Sequence, residues 1–479
     1  MKTKHTISAN EPVSRLLTKI LGKRAEPAIK RLNSNRIETI GQLAGVLQIE
    51  IPYLSKKEAQ KKGVAATFFL SQAHRRKPET AVLRLQRFLQ ISKSDAFRIV
   101  DACKNIQTRY QHYYSNSGWA LGAVRQPLRI LGSSSKLTST IRVKSGFHVV
   151  PEYQDAGAIF DQGERGTCVA NAACTLLDYK SNGSWSRQFL YHQCKMIDKM
   201  RTTEGTTIEA ALEILSKQVL VDFGNVSESV WPYNSHSEKT EHQGPPPEKA
   251  FACNRLFATN NPMLINEKSK VRDIKNLLNY QFKGKSCPVI IGIPLYESFF
   301  SWSTAETGWV TLPLPGEALV GYHAMIIVGY DEDRHLFLVR NSWGPHWAQG
   351  NDRGFKGHAW IPFEYIEKYC YLGASFEELS PGNFIIHEDD RLYYRKLTPE
   401  WAGRAVASKQ RVRNVNTNRK RHITFTGWLW RIAAVILLWH AYKVPITNFK
   451  DKILSIIETR IDLNELGSKA KEKLEEIIN

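Results

Sequence analysis

Asp161-Gln-Gly-Glu-Arg-Gly-Thr-Cys168-Val-Ala-Asn-Ala-Ala173 is the stretch on which the fold assignment turns. Glycines at 163 and 166 allow a tight loop, and Val169–Tyr179 reads as a helix that follows it. A cysteine at a helix N-terminus has its thiolate favoured by the macrodipole and by N–H groups the helix leaves unpaired. The thiolate, not the thiol, is the attacking species. Working outward, such a sulfur needs a base. His323 is expected at the start of a buried strand, His323-Ala-Met-Ile-Ile-Val-Gly-Tyr330. Leu336-Phe-Leu-Val-Arg340 reads as the next strand, with Asp331–Arg334 as the hairpin turn. Asn341 follows at once, in Val339-Arg-Asn-Ser-Trp-Gly344. The hairpin brings 323 and 341 together, so the amide oxygen can fix the imidazole tautomer and aim its other nitrogen at sulfur. Gln162 lies on the loop before the cysteine; its NH2 and the Cys168 backbone N–H can together hold an oxyanion.

Gln162 and Cys168, then His323-Ala324, then Asn341-Ser-Trp-Gly344, in that order, resemble the papain-like cysteine peptidases. Ser186-Arg-Gln-Phe-Leu-Tyr191, Val230-Trp-Pro-Tyr233 and Gly357-His-Ala-Trp-Ile-Pro-Phe-Glu-Tyr365 look like segments of the compact bacterial branch of that family. The resemblance covers residues 148–372. It implies an α+β fold of two lobes, one helical and one a β-barrel, with a cleft between them. It implies Cys168 as nucleophile, His323 as acid–base, Asn341 as its orienter and Gln162 as oxyanion donor. Trp343 would shield the Asn341–His323 hydrogen bond from water. The implied activity is an endopeptidase acting on protein or peptide through a thioester acyl-enzyme, with no cofactor and no metal. Gly205, in Thr203-Glu-Gly-Thr206, either lines the cleft by letting a peptide backbone approach or sits in a plain turn. There are departures. Arg165 stands where secreted members carry a cysteine, and Val169 where an aromatic residue often follows the nucleophile. The loop Trp347–Phe355 is longer than usual. The N-terminal region lacks the family's usual inhibitory propeptide pattern, which argues against zymogen-style control.

Composition agrees with a globular chain. The sequence has 479 residues, 42% hydrophobic and 23% charged, which excludes wholly disordered, collagen-like and multi-span membrane classes. Seven cysteines are too few, and odd in number, for a disulfide scaffold. Cys174 reads as a small buried hydrophobe, and the other cysteines show no CxxC or His-paired spacing. Met1–Arg36 has no apolar stretch of the kind a secretory signal carries, so a reducing compartment is expected. His346 and His358, near the site motifs, are weighed as solvated loop residues against a direct role.

The net charge of +20 is unevenly placed. Residues 1–115 carry 22 Lys and Arg against 8 Asp and Glu, and read as a basic helical domain. The run Arg31-Leu-Asn-Ser-Asn-Arg-Ile-Glu-Thr-Ile-Gly-Gln-Leu43 faintly resembles helix-hairpin-helix units, so nucleic acid and a protein partner both stay open for this domain. Residues 116–147 read as a Gly/Ser-rich linker, 148–400 as the peptidase domain and 401–422 as a basic juxtamembrane linker. Residues 423–444 are a candidate transmembrane helix, since Phe425–Tyr442 would span about 27 Å as a helix. A buried helix and one lying flat on a membrane are the rivals. Residues 445–479 read as an amphipathic helix. The expectation is a cytoplasmic peptidase anchored to the inner membrane by this C-terminal helix and regulated by its N-terminal domain. A non-enzymatic adaptor, which would need a blocked cleft, and an acyl transferase using the same site are the alternatives. Oligomeric state is left open.

Overall fold

The computed structural model describes residues 8–47, 78–104, 121–125, 141–150, 158–198, 204–216, 224–235, 246–251 and 254–383. The segments expected at 401–422, 423–444 and 445–479 lie outside these, and among the described residues no helix is long and apolar enough to cross a membrane.

Among the described residues, five helices near the N-terminus, Val13–Leu21, Ala25–Ser34, Ile40–Leu47, Pro78–Leu89 and Lys93–Cys103, build one apolar core. The third, Ile40–Leu47, is buried all round, whereas others turn an apolar stripe inward: Val13, Leu17 and Leu21 on the first, Leu85 and Leu89 on the fourth. Ser92 caps the last helix by accepting from Asp95 N at 3.0 Å. One member of this core comes from elsewhere: Leu314 is 2% exposed and sits among these helices.

Eleven strands follow among the described residues: β1 Phe147–Val149, β2 Asn254–Ala258, β3 Met263–Leu264, β4 Gln281–Phe282, β5 Lys285–Ser286, β6 Val289–Tyr296, β7 Leu319–Asp331, β8 Leu336–Arg340, β9 His358–Pro362, β10 Leu372–Ser375 and β11 Leu379–Asn383. Seven of them form one antiparallel sheet in the order β3-β10-β6-β7-β8-β9, with β1 added to β7. The centre, Val289-Ile-Ile-Gly-Ile-Pro-Leu-Tyr296, is buried along almost its whole length, as a continuous apolar run demands. The expected hairpin is present, and β8 has the expected limits. The strand bearing His323 begins earlier than expected. Leu319-Val-Gly-Tyr322 pairs with β6 before the apolar run starts, so His323 lies inside β7, opposite Ile293. Periodicity alone missed this, because Gly321 interrupts the apolar run and these four residues are exposed or half-buried.

The second layer is helical. Cys168–Ser181, Arg187–Ile197 and Ile208–Leu215 pack together, and the first lies against β7. Every residue from Cys168 to Lys180 is buried, which is why this helix shows no amphipathic stripe. It ends at Asn182, whose left-handed backbone closes the last turn.

Candidate active site

The nucleophile loop and the β8–β9 loop are sewn together by short-range pairing. Asp161 and Trp343 form an antiparallel bridge, flanked by Gln162 N to Ser342 O at 2.9 Å and Gly344 N to Phe160 O at 2.9 Å. This places Gln162 beside the segment Asn341–Gly344. From the other side, Ala324 N donates to Cys168 Sγ at 3.4 Å, which sets the sulfur against the residue after His323. The hairpin pairs Ile326 with Arg340, so Asn341 emerges beside His323. His323 Nε2 donates to Asn341 Oδ1 at 2.8 Å, and Asn341 Oδ1 also accepts from Ser342 N at 2.8 Å. That bond fixes the tautomer; Nδ1, the remaining nitrogen, has no hydrogen-bond partner among the described residues. The Trp343 ring lies 5.0 Å from the imidazole centroid and tilted by 33°, backed by Phe299, Phe300 and Trp347. The indole thus lies against the imidazole that Asn341 holds.

Gln162 is fully buried and its amide is held at both ends. Nε2 donates to Arg165 O at 2.8 Å, and Oε1 accepts from Ser342 Oγ at 2.6 Å. Ser342 was not singled out from sequence, although it lies inside the Asn-Ser-Trp-Gly motif. Arg165 is the second unpredicted part. It is fully buried, donates through Nη1 to Gln188 Oε1 (2.6 Å) and Asn234 O (3.1 Å), and pairs with Glu204 at 3.8 Å. It also lies over the rings of Tyr191 and Tyr233. At the position where secreted relatives carry a cysteine, this chain fastens its nucleophile loop with a cation.

Gly205 has φ +97° and does meet a peptide backbone, that of the chain itself. A Cβ there would lie 2.9 Å from Gly122 O. Residues 121–125, assigned from sequence to the linker 116–147, run as an extended strap through this groove. Ala123 bridges Thr206 in parallel and Tyr322 in antiparallel fashion. Thr206 N donates to Gly122 O at 2.8 Å, and Val124 N donates to Thr206 O at 2.9 Å. Cys168 and His323 are consequently fully buried. Burial pushes the Cys168 thiol up to about 11, against hydrogen bonds from the backbone of Ala324, Gly122, Val169 and Ala123 that favour the thiolate. Burial likewise draws His323 down to about 4, opposed by the bond to Asn341. Under the strap, at neutral pH, sulfur and imidazole are both uncharged.

His358 starts β9, and its Nδ1 lies 2.7 Å from Lys356 O; burial and then the Arg340 charge draw its pKa down to about 3, so it is a packing residue. His346 is exposed, with Nδ1 2.9 Å from Gln349 Nε2. Cys174 is buried and accepts from Asn225 Nδ2 at 3.4 Å. Among the described residues the cysteines, 103, 168, 174, 194, 287 and 370, are free and buried. Among the described residues there is no cluster of three or more metal-ligating side chains.

Helix-borne cysteine, strand-borne histidine and the asparagine that orients it, under a tryptophan lid, define the class: a papain-like cysteine-protease site. Residues 151–356 match the papain family cysteine protease profile, and the chain carries a papain-family C1 domain over that stretch. An uncharacterized peptidase C1-like protein of Acanthamoeba polyphaga mimivirus is 27% identical over 222 residues, 43% of this chain and 64% of that protein. The chain therefore spans less than two thirds of this curated relative. Among solved structures, xylellain, a cysteine protease from Xylella fastidiosa, is 20% identical with a TM-score of 0.43, over 55% of this chain and 97% of xylellain. Bromelain from Ananas comosus is 16% identical with a TM-score of 0.34, over 49% of this chain and all of bromelain.

One consequence concerns Asn341. Asn341→Ala removes the acceptor that holds the ring, so kcat is expected to fall with little change in KM, losing part of the ~10²–10⁴-fold that a positioned acid–base supplies. Steady-state rates on a peptide substrate check this; an unchanged kcat would mean that Trp343 packing alone fixes the ring.

Proposed function

We propose that this chain hydrolyses peptide bonds by covalent catalysis at Cys168. The observation that carries the reading is the Cys168 sulfur at the start of a buried helix, bonded by the N–H of Ala324, next to His323, whose ring Asn341 holds. In an open cleft His323 Nδ1 takes the thiol proton. The sulfur attacks the substrate carbonyl carbon, and the oxyanion that forms is held by the Cys168 backbone N–H and the Gln162 amide. Collapse breaks the C–N bond, and the imidazolium returns its proton to the leaving amine. Water, deprotonated by His323, then attacks the thioester and releases the acid together with the thiol. Free thiols at the six described cysteines suit a reducing, cytoplasmic setting.

We assign regulation to the N-terminal helices. Their Arg84, 9% exposed, pairs with Glu297 at 3.8 Å and donates to Gly316 O at 3.3 Å, joining them to the segment Glu297–Phe300 that backs Trp343. Exposed Lys19, Lys23, Arg24 and Lys30 on the same domain suit an acidic partner.

The test is to incubate the full chain with a mixed peptide library and to read new amino termini by mass spectrometry. Cleavage that disappears after alkylation of Cys168 is expected, and added amine diverting product to amide would instead mark an acyl transferase. Lack of cleavage by any form of the chain in which Cys168 reacts with a thiol reagent would remove the proposal. A second reading, the non-enzymatic adaptor, is favoured by one observation, the strap that covers the sulfur.

A further inference from the structure

The two oxyanion donors stand at opposite ends of one short loop. Gln162 opens it, and Cys168, whose backbone N–H is the second donor, follows directly on Thr167. One side chain from outside the loop holds both ends. Tyr233 Oη donates to the Gln162 carbonyl oxygen at 2.9 Å and accepts from Thr167 Oγ1 at 2.5 Å. A carbonyl oxygen can only accept, so the direction of both bonds is fixed. Burial pushes the phenol above its ordinary value, and the hydroxyl keeps the proton it donates. Thr167 is secured from behind, since Asn171 Nδ2 donates to its carbonyl oxygen at 2.9 Å and to its Oγ1 at 3.1 Å. The Tyr233 ring is itself clamped. The guanidinium groups of Arg187 and Arg165 lie 4.4 and 5.5 Å from its centroid. Tyr233 N donates to Glu228 Oε1 at 3.0 Å, and that carboxylate pairs with Arg187 at 2.9 Å. The next residues track the same loop: Glu164 N donates to Ser235 O at 3.3 Å, and a Cβ on Gly163 would lie 2.7 Å from Ser235 Cβ.

We infer that Tyr233 is a positioning residue, which sets the separation of the two oxyanion donors through a single hydroxyl. This rests on the peptidase reading above and adds a member to its machinery. The loop carries glycines at 163 and 166, so its own backbone leaves the distance between Gln162 and the helix soft. The bonds to Ser342 hold the Gln162 end, and the helix holds the Cys168 end. The Tyr233 hydroxyl bonds to both. A donor displaced by about 1 Å can cost on the order of 10²-fold in rate, because the oxyanion exists only on the way through the reaction and the bound substrate does not feel the loss. A role in packing alone would act differently, disturbing the sulfur, the substrate affinity and the turnover together. Iodoacetamide separates the two. Its methylene carbon bonds to the sulfur while iodide leaves, and no oxyanion forms, so its rate reports the nucleophile alone.

Two single substitutions test this in the full chain, with circular dichroism reporting the fold. Tyr233→Phe deletes the hydroxyl and leaves the ring between its guanidinium groups. Thr167→Val removes one of the two bonds. Each is read by peptide turnover, by the rate at which iodoacetamide alkylates Cys168, and by the affinity of a peptide aldehyde, measured as protection of Cys168 from that alkylation. The aldehyde adds to the sulfur as a hemithioacetal: the S–C bond forms, the thiol hydrogen passes to the carbonyl oxygen, and that oxygen takes the oxyanion position with no leaving group. Tyr233→Phe is expected to lower kcat by about 10- to 100-fold and to weaken the aldehyde at least about tenfold, with KM and the alkylation rate within about threefold of wild type. Thr167→Val is expected to move the same quantities by a smaller factor. That pattern supports both proposals. Weakened aldehyde binding with no turnover by any form keeps Tyr233 and removes the peptidase. Turnover and aldehyde affinity that stay at wild-type values, alkylation that falls in step with turnover, a wild-type sulfur that takes no aldehyde, or loss of the fold in both variants would each overturn the assignment.

Discussion

Cys168→Ala is expected to abolish peptide cleavage, by about 10⁶-fold in kcat, the scale seen when a covalent nucleophile is removed from a cooperating set. No other group can substitute. The imidazole and Asn341 remain, but His323 has no thiol proton to take, and water alone must then attack. The fold is expected to survive, because the side chain removed is small and its contact with Ala324 N is a weak one at 3.4 Å. Cys174→Ala is the matched control on the same helix. It deletes an equally buried sulfur that touches Asn225 and lies away from the cleft residues, so activity should persist while stability drops by ~1–3 kcal/mol. Measuring both variants with a fluorogenic peptide and by urea denaturation separates chemistry from packing. Residual cleavage by Cys168→Ala at more than a hundredth of the parent rate would place the nucleophile elsewhere.

Arg165→Met is the second large effect, and it falls on stability first. Methionine fills much of the volume but leaves Gln188, Asn234 and Glu204 without their cation and the rings of Tyr191 and Tyr233 without its positive face. Removing one member of a buried charged network costs ~3–5 kcal/mol. The lower end is expected here, because the Glu204 side chain is 36% exposed and can recover water. Because Arg165 O also holds Gln162 Nε2, loosening the loop should lower kcat in addition. A urea midpoint that stays at the wild-type value would show that the loop is fastened by its backbone bridges to Ser342 and Trp343 alone.

Much of this site was legible because its parts are local. The glycines around Cys168, the hairpin between β7 and β8, and the Asn-Ser-Trp-Gly run each state their geometry within a few residues. Cys168, His323, Asn341, Gln162 and Trp343 therefore come together as their order in the chain implied. What stayed hidden is non-local. Arg165 was seen only as the absence of a cysteine, since its partners lie 23, 39 and 69 residues away. The strap looked like a linker because it binds through its backbone, and small residues such as Gly122 and Ala123 carry the same signal in a groove as in a loop. The absent propeptide pattern argued against zymogen-style control, yet a segment of different sequence fills the cleft. The start of β7 was missed because Gly321 breaks the apolar run ahead of His323, and only the pairing with β6 shows that the strand continues through it. The segment 423–444 lies outside the described residues.

Leu314 gives the architecture a practical edge. It leaves its own lobe and completes the core of the N-terminal helices, beside Arg84 and the buried carboxylates of Glu297 and Glu317, the latter pushed up to about 7 chiefly by burial. Trimming the chain to residues 151–356 would bare an oily knob and strip Glu297 of its cation, so a minimal recombinant fragment should clump in the tube. Anyone seeking crystals or kinetics would do better to begin at the first helix.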